Sequence, residues 1–375
     1  MNLSDLTRNA YMLRGSLARR GYCKWWHSFT GVQQGTGETR TFFVEFYFVN
    51  PGFRNSEPIL GQHPYYKKRG IKPSYLMVKA GVFPDSSGEG GLQLHSFYPV
   101  AEAKITSAPL VIQAENCFYS EECIRGSVSV SEAESRHRFL MTNAGTMEWD
   151  LEIYKAVACH TGILASRLSQ FVNALDSYWH GEGIKSFFRG TVVLNGVTYK
   201  VTPESSNGYA DKQWGRNFNK PWMQLACGRL TSERTGKELK HSVLAVNGCC
   251  PRFLFIPLKR KLLLQLTYTG EDYEFGMKPF VLSGCKWETK KTNKRYIWHI
   301  LAQNKDAVIK ISGSCTREQM MPLTYENPDG ILSKSPLLAG GAAIGTIQLF
   351  RRTKDGRELL DTLHMEQGFC AYRGE

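Results

Sequence analysis

Apolar and polar positions along this chain alternate, or run in short apolar blocks, far more often than they recur at helical spacing. That period argues for strands. Residues 42–49 read FFVEFYFV and 74–83 read SYLMVKAGVF, both dense in strand formers. Segments 110–115, 139–143, 191–201, 243–247, 262–269, 296–302, 307–312 and 345–352 share the pattern. Leu194-Asn195-Gly196-Val197 predicts a hairpin, because Asn-Gly accepts the positive φ of a two-residue type I′ turn. Lys354-Asp355-Gly356-Arg357 predicts a second.

Helix is scarce. Leu164, Leu168, Phe171, Val172 and Leu175 share one stripe and predict a single helix over 163–175, after the first set of strands. Near the start, Leu6, Ala10, Leu13 and Leu17 stand at helical spacing among Arg8, Arg14, Arg19 and Arg20. This reads as a short packing helix or a membrane-surface helix, without the apolar run of a signal sequence. Both halves are strand-rich with turn chemistry between the strands, and no doubly wound rhythm appears. The expectation is an all-β protein of two domains with one architecture, barrel or sandwich. The division is placed between residues 205 and 206.

Charge widens the list of partners only slightly. With 47 basic and 34 acidic residues, the net charge is +13, enough to raise nucleic acid or an anionic membrane surface. The bases are spread along the chain, and no nucleic-acid motif accompanies them. The dense run at 286–295, KWETKKTNKR, reads as a solvated hairpin loop, so no specific nucleic-acid partner is expected. Ten cysteines include no CxxC and no Cys/His cluster of zinc spacing. They imply a reducing, cytoplasmic setting, no metal and no disulfide framework. The uncharged stretch 335–350, SPLLAGGAAIGTIQLF, is too short for the roughly 20 residues of a membrane helix and lacks dinucleotide-loop spacing. Transient association with a membrane surface stays open, as does the oligomeric state.

The candidate chemistry lies in 208–222, GYADKQWGRNFNKPW, which sets acid and base among four aromatic rings. As a strand, it puts Tyr209, Asp211 and Gln213 on one face and Ala210, Lys212 and Trp214 on the other. Whichever face looks inward takes an ionisable group into an aromatic enclosure. Either that group meets a partner at a domain junction, or it does chemistry in an apolar cavity.

The stretch 187–222, FFRGTVVLNGVTYKVTPESSNGYADKQWGRNFNKPW, resembles the tocopherol cyclase-like family, whose pattern is GYA[DE]KxWGxxF followed by Trp. Upstream, 178–185, YWHGEGIK, fits the same resemblance. So do 21–30, GYCKWWHSFT, as an opening aromatic strand, and AGGAAIGTIQLF near the end. The likeness is sharp over about forty residues and diffuse elsewhere.

The resemblance implies two lipocalin-like β-barrels side by side, with a hydrophobic ligand, an isoprenoid or prenylated phenol, near their junction. The fold is implied to be shared with the related carotenoid hydratases and lipocalin-like Diels–Alderases. As in the cyclase and the hydratases, the resemblance also implies protonation of a carbon–carbon double bond without metal or organic cofactor. An alkene is a very weak base, so its acid must stay protonated at neutral pH, and burial among rings does that to a carboxyl group. Asp211 stands where the cyclase pattern has its acid.

Tyr209 and Gln213 would be its neighbours, and Trp214, Trp222, Trp25 and Trp26 would line the cavity. The sequence departs from the family at Gln213, which replaces Asn, and at Lys212, where the hydratases tend to have His. A cavity-facing lysine would donate hydrogen bonds or position a substrate carboxylate, but would be a poor protonator of an alkene. If its face is the inner one, Asp211 is structural and His241 or Glu45 must supply the acid. His180 is either a ligand contact or a satisfied loop histidine. A cyclase or isomerase, a non-catalytic carrier or sensor, and an anion-surface binder are the competing classes.

Overall fold

The computed structural model describes residues 8–107, 109–159, 175–218, 221–253, 256–276, 284–332 and 335–374. The helix expected over 163–175 lies outside them, apart from Leu175. The first sheet is built from β1 (Tyr22–Gln33), β2 (Thr39–Val49), β3 (Tyr75–Val82) and β4 (Leu92–Tyr98). It continues through β5 (Lys104–Ser107), β6 (Leu110–Ala114), β7 (Cys117–Ser120) and β8 (Cys123–Val130). It is completed by β9 (Gly145–Cys159), β10 (Ser177–Leu194), β11 (Val197–Val201) and β12 (Gly208–Gly215). The pairing order is β4-β3-β2-β1-β11-β10-β9-β8-β7-β6-β5, with β12 bridging β1 and β10. β4 packs back against β8, so the sheet curls into a barrel.

The second sheet begins with β13 (Trp222–Cys227), β14 (Leu230–Ser232) and β15 (Val243–Cys249). A small ribbon, β16 (Arg252–Phe253) and β17 (Ile256–Pro257), stands apart. β18 (Lys261–Tyr268), β19 (Glu271–Phe275), β20 (Gly284–Lys291) and β21 (Arg295–Gln303) follow. The last strands are β22 (Ala307–Thr316), β23 (Met321–Leu323), β24 (Leu337–Thr353) and β25 (Gly356–Arg373). Their order is β19-β18-β15-β13-β25-β24-β22-β21-β20, with β20 returning against β18. The protein is all-β, with two antiparallel, barrel-like sheets packed together.

Burial along each strand reports what covers it. β9 alternates buried and exposed positions, as expected for a strand with one face in a barrel and one in water. β1, β2, β3 and β12 are buried at nearly every position. Their second face lies against the other barrel, which explains the unbroken apolar run of FFVEFYFV. Three clusters result. Trp25, Phe29, Phe46 and Trp149 belong to the core inside the first barrel. Leu225, Val246, Leu264 and Trp298 belong to the core inside the second. Trp26, Phe43, Tyr47, Tyr209, Trp222 and Phe369 belong to a third core at the junction.

Several elements differ from the sequence reading. The Asn195-Gly196 turn forms between β10 and β11, with φ of 49° and 82°. Residues 139–143 are not a strand. A 3₁₀ turn, Arg138–Leu140, precedes side-chain caps on β4, where Asn143 Oδ1 accepts from Gln93 N at 2.9 Å and Thr142 Oγ1 from His95 N at 3.0 Å. The run at 286–295 is mostly strand: β20 extends to Lys291, and only 292–294 turn. Trp287 faces inward and charged residues face out, as suits an edge strand.

At the start, a single helical turn, Ser16–Arg19, anchors Leu17 in the first core, while Leu13 enters it from the preceding segment. β12 still pairs within the first sheet, and the chain changes sheets between Gly215 and Trp222, past the division expected at 205/206. Among the described residues, no helix is long and apolar enough to cross a membrane.

Candidate functional site

β12 has no solvent face. Its register against β1 pairs Trp26 with Asp211 and Trp25 with Lys212. Strand alternation therefore sends Tyr209, Asp211, Gln213 and Trp26 into the junction. It sends Lys212, Trp214 and Trp25 into the first barrel. The four tryptophans expected to line one cavity divide, Trp26 and Trp222 lying at the junction and Trp25 and Trp214 inside the first barrel.

At the junction, Asp211 is 5% exposed. Its Oδ2 accepts from Tyr209 OH at 2.6 Å, Trp179 Nε1 at 2.7 Å and Gln224 Nε2 at 2.8 Å. Gln224 comes from β13, so the second barrel helps to hold the acid. Among the described residues, Oδ1 takes no hydrogen bond. Burial raises the Asp211 pKa above the usual carboxylate range, against the Lys24 ammonium and the three donors, which lower it. With Oδ2 occupied three times, a bound proton belongs on Oδ1. Rings enclose the group: Tyr209 stacks on Phe369 at 4.8 Å, and Trp26 lies 5.7 Å from Phe369.

Glu45 lies at the same junction, 0% exposed. Lys24 Nζ is 2.8 Å from its Oε1 and Lys79 Nζ 3.4 Å from its Oε2, while Tyr325 OH donates at 3.0 Å. Burial works to raise its pKa, but the two lysines and the hydrogen bonds outweigh that and hold it low. Burial depresses Lys79 to about 7. Glu45 is thus an ionised anchor between barrels rather than a reserve acid. Its place in an apolar run is explained by the two lysines that meet it from the neighbouring strands.

Inside the first barrel, Glu182 is 0% exposed and accepts from Tyr119 OH at 3.1 Å and Lys155 Nζ at 2.7 Å. Lys155 also reaches Glu121 at 2.6 Å. Burial pushes Glu182 up to about 7 even beside that ammonium. His27 lies 3.6 Å from Glu182, and neither of its ring nitrogens finds a hydrogen-bond partner. Burial, then the Lys155 charge, depresses its pKa. Lys212 donates to Arg8 O at 2.7 Å and to Ala10 O. Its ammonium stands 4.6 Å from the Trp214 ring centre and 5.3 Å from that of Trp25. Burial lowers its pKa to about 8.

The remaining candidates separate. Gln213 and Trp222 border a small junction cleft with Phe218 and Arg373. His180 is buried on β10, opposite Lys212 in the register. His241 is exposed in a turn between sheet strands and belongs to neither cluster. Trp179, Gln224, Lys24, Lys79, Tyr325, His27, Tyr119, Lys155 and Glu182 were not singled out by sequence. Lys24 and His27 lie within GYCKWWHSFT, and Trp179 and Glu182 within YWHGEGIK. Charges embedded in aromatic runs were the available signal.

The clefts beside Tyr209 and Trp222 hold only about 10 Å³ each, room for about one water. An open groove of about 840 Å³ lies on the second barrel around Lys286, Glu288, His299 and Lys310, sharing no residue with either cluster. Among the described residues, no group of three or more His, Cys, Asp or Glu could hold a metal ion.

No family model matches this chain, and no curated protein does. The tocopherol cyclase-like assignment therefore stays a resemblance. Among solved structures, kievitone hydratase from Nectria haematococca aligns over 100% of this chain and 92% of its own, with TM-score 0.45 and 11% identity. A protein of unknown function of the DUF3598 family from Nostoc punctiforme aligns at TM-score 0.13 and 6% identity, covering 100% and 99%. Both likenesses are too remote to bear on activity.

Proposed function

We propose that the protein binds a hydrophobic small molecule of isoprenoid or prenylated-phenol type between its barrels and protonates a double bond in it. The observation that carries this reading is Asp211: a buried carboxyl of raised pKa, ringed by aromatics, with three donors on one oxygen and the other oxygen open. The proton on Oδ1 passes to one alkene carbon. The cation on the other carbon is faced by Trp and Tyr rings. Capture by a neighbouring phenol oxygen forms the C–O bond and returns the phenol proton to Asp211. Tyr209, Trp179 and Gln224 orient the carboxyl group and steady the carboxylate while the cation exists. The reaction requires the Phe369 and Tyr209 rings to part, because the clefts beside them are small.

Turnover of a prenylated hydroquinone by wild type and Asp211→Asn tests this directly. Loss of general acid catalysis lowers the rate by about 10²–10⁴-fold; unchanged turnover removes Asp211 from the mechanism. A second reading, a carrier or sensor without turnover, draws on the closeness of the junction packing. Mass spectrometry of lipids co-purified with the protein separates the two. The carrier retains its lipid unaltered in both wild type and Asp211→Asn, and a Trp26→Ala variant loses it.

A further inference from the structure

Lys212 is 0% exposed, and among the described residues no carboxylate lies within 4.0 Å of its ammonium. The other buried lysines among the described residues have one, since Lys24 and Lys79 share Glu45, and the half-buried Lys155 has Glu121 and Glu182. A buried charge without a counter-ion is costly, and protein interiors pair such charges or hold them for a purpose. What meets Lys212 here is the chain itself. Carbonyl oxygens of Arg8 and Ala10 accept from its ammonium, and the Asn9 carbonyl accepts from Trp25 Nε1 at 3.1 Å.

The Asn9 side chain sits fully buried beside the acidic cluster. It donates to Glu121 at 2.5 Å and leaves its own Oδ1 without a partner. Behind it, Tyr11 stacks over Trp25 at 6.4 Å and meets Phe48 edge-on at 5.4 Å. Residues 8–11 thus fill the first barrel as a ligand would: clustered oxygen acceptors on an ammonium and an indole N–H, with an aromatic body against aromatic walls. Asn9 fits this role imperfectly, since one of its polar atoms is orphaned and the lysine it covers stays unneutralised.

We propose that the first barrel is a binding site for an amphiphilic carboxylate, with Lys212 and Trp25 Nε1 as the donors for its head group and residues 8–11 as the occupant it displaces. The apolar tail takes the place of Tyr11 against Trp25 and Phe48. This site is separate from Asp211, which faces the other side of the same strand.

The test compares 1-pyrenebutyric acid with 1-pyrenebutanol, two probes with one tail and different heads, using full-length protein and tryptophan-to-pyrene energy transfer. The acid is expected to bind about tenfold or more tightly than the alcohol, as charge-assisted hydrogen bonds to a buried ammonium require. Lys212→Met is expected to abolish that preference while keeping alcohol binding. Equal affinity for the two probes in wild type, or a preference that survives in Lys212→Met, overturns the proposal, the second by assigning it to the basic surface. Hydrogen exchange of wild type gives a readout independent of the variant's folding. The acid is expected to speed exchange of the amides of residues 9–11, and unchanged exchange at saturating acid counts against displacement.

Discussion

The interiors of the two barrels are built from different materials. The second is hydrocarbon around Leu225, Val246, Leu264, Ile300, Ile311 and Trp298, with Asp361 held by Ser232 and Tyr268 hydroxyls. The first encloses Glu182, Lys155, His27 and Lys212 among its rings. Burying those groups gives up stability that a hydrocarbon core would have kept. The second barrel therefore acts as the scaffold. The proposed acid and the proposed carboxylate site both draw on the first barrel and on the junction face it shares with the second.

The sharpest way to break this contrast is to unpair a buried charge. Glu45→Ala leaves Lys24 and Lys79 facing each other at the junction and is expected to cost about 3–5 kcal/mol in denaturant unfolding. A loss below about 1 kcal/mol would mean that the barrels do not rely on this anchor. Leu264→Ala, in the hydrocarbon barrel, is expected to cost about 2–5 kcal/mol. It should leave the acid-over-alcohol preference of the pyrene probes intact, and a shift in that preference would show that the two interiors are coupled.

Lys212→Met is expected to act in the opposite direction. Lowering a lysine from 10.5 to about 8 disfavours the folded state at neutral pH, by about 3 kcal/mol at about 1.4 kcal/mol per pH unit. The variant should be more stable than wild type at pH 7, and a less stable variant would mean that the ammonium is well compensated.

The last effect is a shape in stability against pH. Glu182, and Glu326, a buried carboxyl that accepts from the Gly61 and Gln62 amides, are pushed by burial to folded values near 7, above the ordinary 4.5. Their contribution is full below pH 4.5 and is lost as pH rises through about 7. Lys79 and Lys212 have folded values near 7 and 8, below the ordinary 10.5. Their contribution is full above 10.5 and is lost as pH falls through 8 and 7. Together they predict a minimum of stability between about pH 7 and 8, measurable by urea midpoints at pH values on both sides of that range. A maximum there instead would contradict these burial-driven shifts.

The alternation of residues by itself determined the all-β class, most of the strands and the Asn195-Gly196 hairpin, because a period of two and a positive-φ turn are local properties. It also separated Asp211 from Lys212, since adjacent strand residues cannot share a face. It misread 139–143 as a strand, because side-chain caps on a neighbouring strand leave no periodic trace. It read 286–295 as a loop, because an edge strand can be as charged as a turn.

Only the tertiary structure decided that both faces of β12 are buried. That outcome needs a second barrel laid against the first, a contact between segments far apart in the chain. For the same reason, Gln224 on Asp211, Tyr325 on Glu45 and Asn9 beside Glu121 could not be read from spacing. Each is a pairing across more than ten residues, set by how the sheets curl and pack rather than by any local preference of the chain.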